Sequence, residues 1–302
     1  MVPPKISIIT VVYNGANSIG KTIQSVLDQT YQNVELIIID GGSTDGTIDI
    51  LTKFNSDKII WTSEPDQGIY DAMNKGIQKS SGDWIYFLGG DDQFYSDQVL
   101  ESIFLKPFFE DVDFIYGNVK SDAFKGLYNG EFDYEKLLQK NISHQSIFYH
   151  RSIFITIGLY NLKYKTHADW DFNLRCYENR DINIKYLDAI IAIFAKGGVS
   201  SNYDLPFLRE SLLPRKLEFL KSKKGALSTL KKYDEWWRFL RNSKIRSIAD
   251  FKDSGYLFEV PDVILSMVYW QKRVPGNLLR YGIISKISMF ANYITNINKS
   301  SN

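Results

Sequence analysis

One cysteine, Cys176, stands in a chain of 302 residues. An internal disulfide is therefore excluded, and a reducing compartment fits best. Cys176 lies within a helical pattern and reads as a small buried hydrophobe. Histidine is nearly as scarce, with 3 scattered copies, so a zinc site is disfavoured. No apolar run approaches the ~20 residues needed to span a bilayer. The N-terminus, MVPPK, runs straight into a strand pattern and carries no secretory signal. No GxGxxG follows the first strand and no GxxxxGK[ST] occurs, which disfavours dinucleotide dehydrogenases and P-loop enzymes. Internal repeats and low-complexity segments are also absent. The expectation is a cytoplasmic enzyme-sized protein.

What is present is an ordinary apolar content of 44% with a high aromatic share of 15%. Such rings serve cores, and they also serve stacking on sugars and bases. Net charge is +1 but unevenly divided. Residues 1–204 hold 18 Lys and Arg against 27 Asp and Glu, whereas 205–302 hold 18 against 8. A basic tail that meets something anionic is one reading, and mutual attraction of the two halves is the other. The grammar changes at the same place. Residues 1–204 alternate strand and helix, whereas 205–302 carry long basic amphipathic helical patterns with Trp236, Trp237 and Trp270 between them. Two domains are expected, 1–204 and 205–302.

Three short apolar runs in the first hundred residues stop abruptly on polar groups. Ile6 to Val12 ends in Tyr13-Asn14, Val34 to Ile39 in Asp40-Gly41-Gly42-Ser43, and Trp84 to Leu88 in Gly89-Gly90-Asp91-Asp92. Helical patterns separate them, one of them capped by Ser18 and another begun by Ser96. Ile59 to Thr62, Phe114 to Gly117, Ser146 to Tyr149 and Lys185 to Ala195 read as further strands, and residues 118–143 as loops around a short helix near Tyr134. The fold class is α/β, with a mostly parallel sheet flanked by helices. Ligands of open α/β sheets bind beyond the carboxyl ends of the strands, so the three stops predict one crevice.

Each stop residue has two readings. Asp91-Asp92 is either a hard-cation site or a solvated turn. Asp40 either accepts from a ribose or base edge, or bonds the backbone of the glycines that follow it. Tyr13 either stacks on a base or packs on a neighbouring helix. Further along, Asp171 and Arg175 are spaced for an ordinary helix ion pair. Asp169 has no such partner, which makes it the better candidate general base.

Taken together, SIITVVYNG (7–15), ELIIIDGGSTDGT (35–47), SEPDQGIYDAMNKGI (63–77), GDWIYFLGGDD (82–92), HQS (144–146) and ADWDFNLR (168–175) resemble the family 2 glycosyltransferases of GT-A, Rossmann-type fold. The resemblance covers about the first two-thirds of the chain. It implies a nucleotide-sugar donor, probed by Val11, Tyr13, Asp40, Asp66, Asn74 and Asp91, with Tyr13 stacking on the nucleobase. It implies Mn2+ or Mg2+ on Asp92, with Asp91 as a second contact. It implies Asp169 as the general base, with Asp171 as rival. Ala168 stands where the family often has Glu, which departs from its pattern. The Q-x-x-R-W sequence of processive members is absent, which favours transfer of one sugar, and one displacement with one base implies inversion at the anomeric carbon. The acceptor implied is a hydroxyl of a glycan or lipid-linked carrier in surface-polysaccharide synthesis. No nucleic-acid partner is expected. Residues 205–302 would meet the inner membrane surface, the acceptor or a second subunit. Two other classes compete: a sugar-nucleotide-forming nucleotidyltransferase, which wants a basic glycine-rich first loop that Tyr13-Asn14-Gly15-Ala16 does not supply, and an inactive binding protein, which need not keep acids at 40, 92 and 169.

Overall fold

Runs that are apolar on both faces belong in a sheet covered on both sides, and the first, second and fourth strands of the protein are of that kind, the third being a partly exposed edge strand. β1 (Ile6–Val12), β2 (Val34–Asp40), β3 (Ile59–Ser63) and β4 (Trp84–Phe87) lie side by side and parallel, in the order β3-β2-β1-β4. The computed structural model describes residues 3–105, 111–121, 126–194 and 204–222. The chain divides into two units, Met1–Phe207 and Leu208–Asn302. Of the second, a π-helical turn (Leu208–Leu212) and a helix (Leu213–Ser222) are described. Most of 205–302, with the contacts expected of it, lies outside the described residues. No helix among the described residues is long and apolar enough to cross a membrane.

Strand alternation sorts the side chains onto two faces. Ile6, Ile8, Leu36 and Ile38 point to one, where α1 (Ile19–Leu27) covers them with Ile19, Ile23 and Val26. On the other face Ile9 meets α3 (Ile69–Lys79), which comes so close that a Cβ on Gly76 would sit 2.4 Å from Ile9 Cγ2. Between these lie α2 (Thr47–Leu51) and, after β4, the two-residue strand β5 (Gln93–Phe94) and α4 (Val99–Phe104).

The sheet continues past β4 with a change of direction. β6 (Phe114–Ser121), β7 (Gly126–Tyr128), α5 (Tyr134–Leu137), β8 (Ile147–His150), α6 (Ser152–Thr156), α7 (Ala168–Glu178) and β9 (Ile184–Ile193) follow in the chain. β8 inserts antiparallel between β4 and β6, β9 runs parallel to β6, and β5 closes the far edge antiparallel to β9. Most paired residues lie in parallel pairs, so the sheet is mixed but mostly parallel. Phe87, Tyr149, Phe154, Tyr160 and Phe172 pack ring on ring and clamp α6 and α7 to its second face.

Three expectations are corrected. Residues 118–121 are the end of β6 and 126–128 are β7, rather than loops. Asn118 survives there, buried, because Nδ2 donates to Tyr186 Oη at 3.0 Å and Oδ1 accepts from the Gly130 amide at 2.8 Å. Ser18 occupies the N-cap position of α1 but its side chain makes no capping bond; its hydroxyl donates instead to the Gly90 carbonyl at 2.9 Å. Ser96 does not begin α4, whose Leu100 amide is taken up by Gln29 Oε1 from a distant loop at 3.1 Å.

At the end of the sheet away from the strand stops, Glu35 is a buried acid that sequence reading passed over. Lys5 Nζ lies 2.6 Å from Oε2, and Ser7 Oγ and the Ser81 amide donate to Oε1 at 2.6 Å each. Burial pushes its pKa up, but Lys5, Ser7 and Ser81 outweigh that and hold it down to about 2. A depressed folded-state pKa contributes stability that is present above the unfolded value of 4.5 and is lost as pH falls toward 2. Glu35→Gln is therefore expected to cost about 1–3 kcal/mol at pH 7. In urea melts the gap between variant and wild type should narrow steadily below pH 4.5, the unfolded-state value.

Candidate active site

The carboxyl ends of β1, β2 and β4 carry loops that are laced to one another. Four hydrogen bonds join the loop after β1 to the loop after β2: Asn14 N to Ser43 Oγ, Gly15 N to Thr47 Oγ1, Ala16 N to Asp45 Oδ2 and Thr44 N to Asn14 Oδ1, at 2.7–3.0 Å. Asn14 takes a left-handed φ of 52° to make this turn, a conformation that asparagine tolerates. The loop after β4 is drawn to the same place. A Cβ on Gly90 would lie 3.1 Å from the Val12 side chain and 3.2 Å from the Val11 carbonyl. Val11 is half-buried at this junction.

Tyr13 is 66% exposed at the strand end, so its ring is not packed under a helix. Its edge lies over Gly41, where an added Cβ would sit 3.4 Å from Tyr13 Cδ2 and 2.7 Å from Asp66 Oδ2. Asp66 reaches this point from the start of α3. Its Oδ1 accepts from the Gly68 amide at 2.8 Å, and its Oδ2 accepts no hydrogen bond among the described residues. A ring and a carboxylate oxygen thus converge on a position kept open by glycine.

Asp40 is placed differently. It is 0% exposed. Oδ2 accepts from Gly42 N at 3.0 Å, Ser43 N at 2.9 Å and Ser63 Oγ at 2.6 Å, and Oδ1 accepts from the Ser43 hydroxyl. Burial raises its pKa, and the Ser43 and Ser63 bonds override that and hold it below the ordinary value. Its bonds are those of the turn-organising reading. A ribose or base could reach this carboxylate only by displacing one of the serines. Asn74 is likewise spent. It is buried, and its amide makes a two-point bond to the Tyr160 backbone, Nδ2 to O and N to Oδ1, at 3.0 Å each. In the structure it latches α3 to the segment before α7 rather than facing the crevice.

Asp91 and Asp92 fold back over Gly89. A Cβ there would lie 2.5 Å from Asp92 Oδ2 and 3.2 Å from Asp91 Oδ1, so oxygens of the two acids converge on one glycine. Asp91 is exposed and Asp92 only 2% exposed, which is not the solvated turn of the bland reading. Asp92 Oδ2 accepts from Gln145 Nε2 at 2.7 Å, and its carbonyl accepts from Thr22 Oγ1 at 2.8 Å. Gln145 belongs to a 3-10 turn, His144–Ser146, that leads into β8.

The residue before Gln145 stands beside the other candidate acid. His144 Nδ1 lies 3.9 Å from Asp169 Oδ2. Asp169, in the first turn of α7, is 8% exposed. Tyr70 Oη lies 2.7 Å from its Oδ1 and 3.0 Å from the Thr166 carbonyl, with one proton to share between them. Burial and the nearby Asp169 push the Tyr70 pKa well up, so it remains a donor. Asn141 Nδ2 donates to Asp169 Oδ2 at 2.8 Å. Asp171 faces elsewhere: its Oδ2 accepts from Arg175 Nε at 2.9 Å, and the same guanidinium donates to the Ile157 and Leu159 carbonyls. The ion pair anticipated from the i, i+4 spacing is present, and it commits the rival acid. Thr166, just before α7, is anchored in turn by its amide to Asp204 Oδ2 at 2.9 Å.

The chemistry available is that of oxygen donors: two converging acids at 91 and 92, a half-exposed acid at 66, an aromatic at 13 and a carboxylate at 169 held by neutral donors. Such a set suits a hard divalent cation, which takes six or more oxygens. Among the described residues no group of three His, Cys, Asp or Glu gathers, so oxygens of a bound ligand would have to complete the shell.

Comparison with known proteins bears on the family and the fold. Residues 7–157 match the family model described as glycosyl transferase family 2. The PGL/p-HBAD biosynthesis glycosyltransferase of Mycobacterium tuberculosis is 39% identical over 217 residues, covering 69% of this chain and 84% of its own. An uncharacterized glycosyltransferase of Haemophilus influenzae is 31% identical over 229 residues, covering 69% and 90%. Residues 1–349 of Staphylococcus aureus TarS, solved with UDP-GlcNAc, superimpose with a TM-score of 0.60 at 17% identity, covering 80% of this chain and 74% of that one. A Pyrobaculum calidifontis mannosyltransferase solved with GDP-Man and Mn2+ gives a TM-score of 0.53 at 13% identity, covering 98% and 86%. Those two likenesses bear on the fold.

Asp171 and Asp169 should separate by stability. Asp171→Asn leaves the Arg175 charge without its partner in a largely buried setting and is expected to cost about 3 kcal/mol. Asp169→Asn removes a carboxylate whose two hydrogen-bond donors are neutral and is expected to cost about 1 kcal/mol. Urea denaturation of both variants checks the order.

Proposed function

The chain belongs to glycosyl transferase family 2 and has the GT-A fold, and on that premise we propose that it transfers one sugar, with inversion, from a UDP-sugar to a hydroxyl of a glycan or lipid-linked acceptor. The observation that carries the reading is the 3-10 turn at 144–146, which puts Gln145 on Asp92 and His144 beside Asp169. A leaving-group site and a base must lie on either side of one anomeric carbon, and adjacent residues of one turn serve both acids here.

Tyr13 stacks on the uracil, Val11 borders it through its main chain, and Asp66 receives the ribose or base with its open Oδ2. Asp40 acts at one remove, by holding Gly41 and Ser43 in the turn on which Tyr13 and Asp66 converge. Asn74 keeps α3, and with it Asp66 and Tyr70, in place. Asp92, with Asp91 beside it, would hold Mn2+ or Mg2+, whose charge would offset that of the departing diphosphate. Asp169 takes the proton of the acceptor hydroxyl as that oxygen attacks the anomeric carbon from the face opposite the diphosphate. The new C–O bond forms as the bond to the diphosphate breaks, and one displacement inverts the centre. With no processive motif after Asp169, one sugar is added per encounter. The excess of Lys and Arg in 205–302 suits an acceptor held at an anionic membrane surface, where each basic residue contributes about 1 kcal/mol. Surface-polysaccharide assembly on the cytoplasmic face is the setting that fits these parts.

Calorimetric titration with UDP tests the metal assignment. Binding should strengthen when Mn2+ is added, and Asp92→Ala should remove that dependence; UDP binding indifferent to Mn2+ in the parent protein overturns it. A panel of sugar nucleotides, scored by nucleotide release, identifies the donor. With that donor, Asp169→Asn should lose roughly 10^2–10^4-fold in turnover, the range of a lost general base, while retaining UDP affinity. Full turnover in this variant would sink the base assignment.

A further inference from the structure

Behind Asp169 runs a line of neutral side chains that meets the crevice assigned above only at this acid. Asn141 donates from Nδ2 to Asp169 Oδ2, and its Oδ1 accepts from Asn173 Nδ2 at 2.9 Å. Asn173 is 0% exposed, and its Oδ1 accepts from Tyr149 Oη at 2.7 Å. Asp169 and Asn173 are four residues apart on α7, hence on one face one turn apart. The Asn141 amide therefore spans a single helical turn, with its nitrogen on the acid and its oxygen on the next residue of the same face. The backbone of Asn141 is held as well, since Tyr128 Oη donates to its carbonyl at 3.0 Å.

The polarity of the line follows from its end. An ionised carboxylate can only accept. Asn141 must then present NH2 to Asp169, which turns its oxygen to Asn173. Asn173 must present NH2 in turn, which directs its oxygen to Tyr149, and Tyr149 must donate. Flipping either amide sets oxygen against oxygen in a buried place, at a cost of about 1–3 kcal/mol for each unsatisfied group. Burial pushes the Tyr149 pKa well up, so its proton stays in place as the outer stop. Tyr149 is itself clamped between Phe87, Phe114, Phe154 and Phe172.

We infer that Asn141, Asn173 and Tyr149 form a one-way hydrogen-bond relay that holds the Asp169 carboxylate aimed at the acceptor hydroxyl. They are positioning residues for the base and touch neither donor nor acceptor. Tyr70 secures the other oxygen. Lone pairs left on Asp169 after these two bonds are the ones offered to the incoming hydroxyl. The inference rests on the assignment of Asp169 as the base, and it adds that the base reaches its full rate only as the terminus of this line.

Kinetics of the full chain with its screened donor test it. Asn173→Leu, which breaks the line without touching Asp169, should lower kcat by about 10–50-fold with UDP affinity in the presence of Mn2+ unchanged within twofold. Tyr149→Phe, which removes only the outer stop, should lower kcat by about 2–5-fold. Ile153→Val, a small cavity in α6 away from the relay, serves as a control and should leave kcat unchanged at similar loss of stability. Equal kcat in parent and Asn173→Leu overturns the relay, and so does a deficit that Ile153→Val reproduces. If Asp169→Asn keeps its turnover, the failure belongs to the base assignment instead. A second measurement needs no donor. In NMR spectra of the full chain, the side-chain NH2 signals of Asn141 and Asn173 should both move in Asp169→Asn. Movement at Asn141 alone, or at neither, overturns a connected line.

Discussion

Two carboxylates arrive at the crevice from different parts of the fold, and one short turn keeps them in register. Asp92 comes from the loop after β4, a strand of the parallel half, and Asp169 from α7, which packs on the antiparallel insertion. The turn at 144–146 leads into β8, the strand inserted antiparallel beside β4. Gln145 bonds the first acid while His144 stands beside the second. A turn that shifted by one residue would lose both relations at once. Reversing chain direction at β8 is thus more than a topological detail. It places the amino end of that strand, and the turn before it, at the carboxyl ends of the parallel strands.

Glycine makes room for this convergence. At 41 and 89 a single methyl group would collide with a carboxylate oxygen, 2.7 Å away at the first and 2.5 Å at the second. Carboxylates converge there because the backbone beneath them carries no side chain. The charges are then sorted by whether a cation is built in. Glu35 has Lys5 and Asp171 has Arg175, and both acids are parts of the scaffold. Asp66 and Asp169 are held by an amide, hydroxyl and carboxamide donors, which stabilise a negative charge without neutralising it. Uncompensated negative charge gathered at the mouth of a sheet is what a cation-bearing diphosphate would offset.

Much of this was legible in the residues. Runs such as Val34–Asp40, apolar on both faces, could only be interior parallel strands, and their abrupt polar stops marked the crevice. The spacing of Asp171 and Arg175 identified a pair that the structure contains. What could not be read depends on partners remote in sequence. Ser18 looks like a cap because a helix starts after it, yet a carbonyl 72 residues away claims its hydroxyl. Asn118 argues against a strand until Tyr186, Asp188 and Gly130 are seen to satisfy it. Glu35 interrupts an apolar run without any local sign that Lys5, Ser7 and Ser81 surround it. Asn173 carried one faint signal, its four-residue spacing from Asp169, and that spacing acquires meaning only once Asn141 is found between them.

A motif specifies which residue occupies a position and leaves open where its lone pairs point. Asp40 and Asn74 stand where family resemblance expects ligand contacts, but every strong acceptor of the one and both ends of the other are engaged within the protein. Their influence on a ligand must then travel through what they hold. For Asp40 that is the turn whose Gly41 lies beneath Tyr13 and Asp66. For Asn74 it is the join between α3, which bears Tyr70, and the segment leading to α7, which bears Asp169. Removing either side chain would disturb the site by moving other groups, so a lost activity alone would not distinguish a contact from a support. The hydrogen-bond inventory bears on that distinction, because a buried side chain already bonded within the protein at both ends takes up a ligand only by sharing contacts that the fold uses.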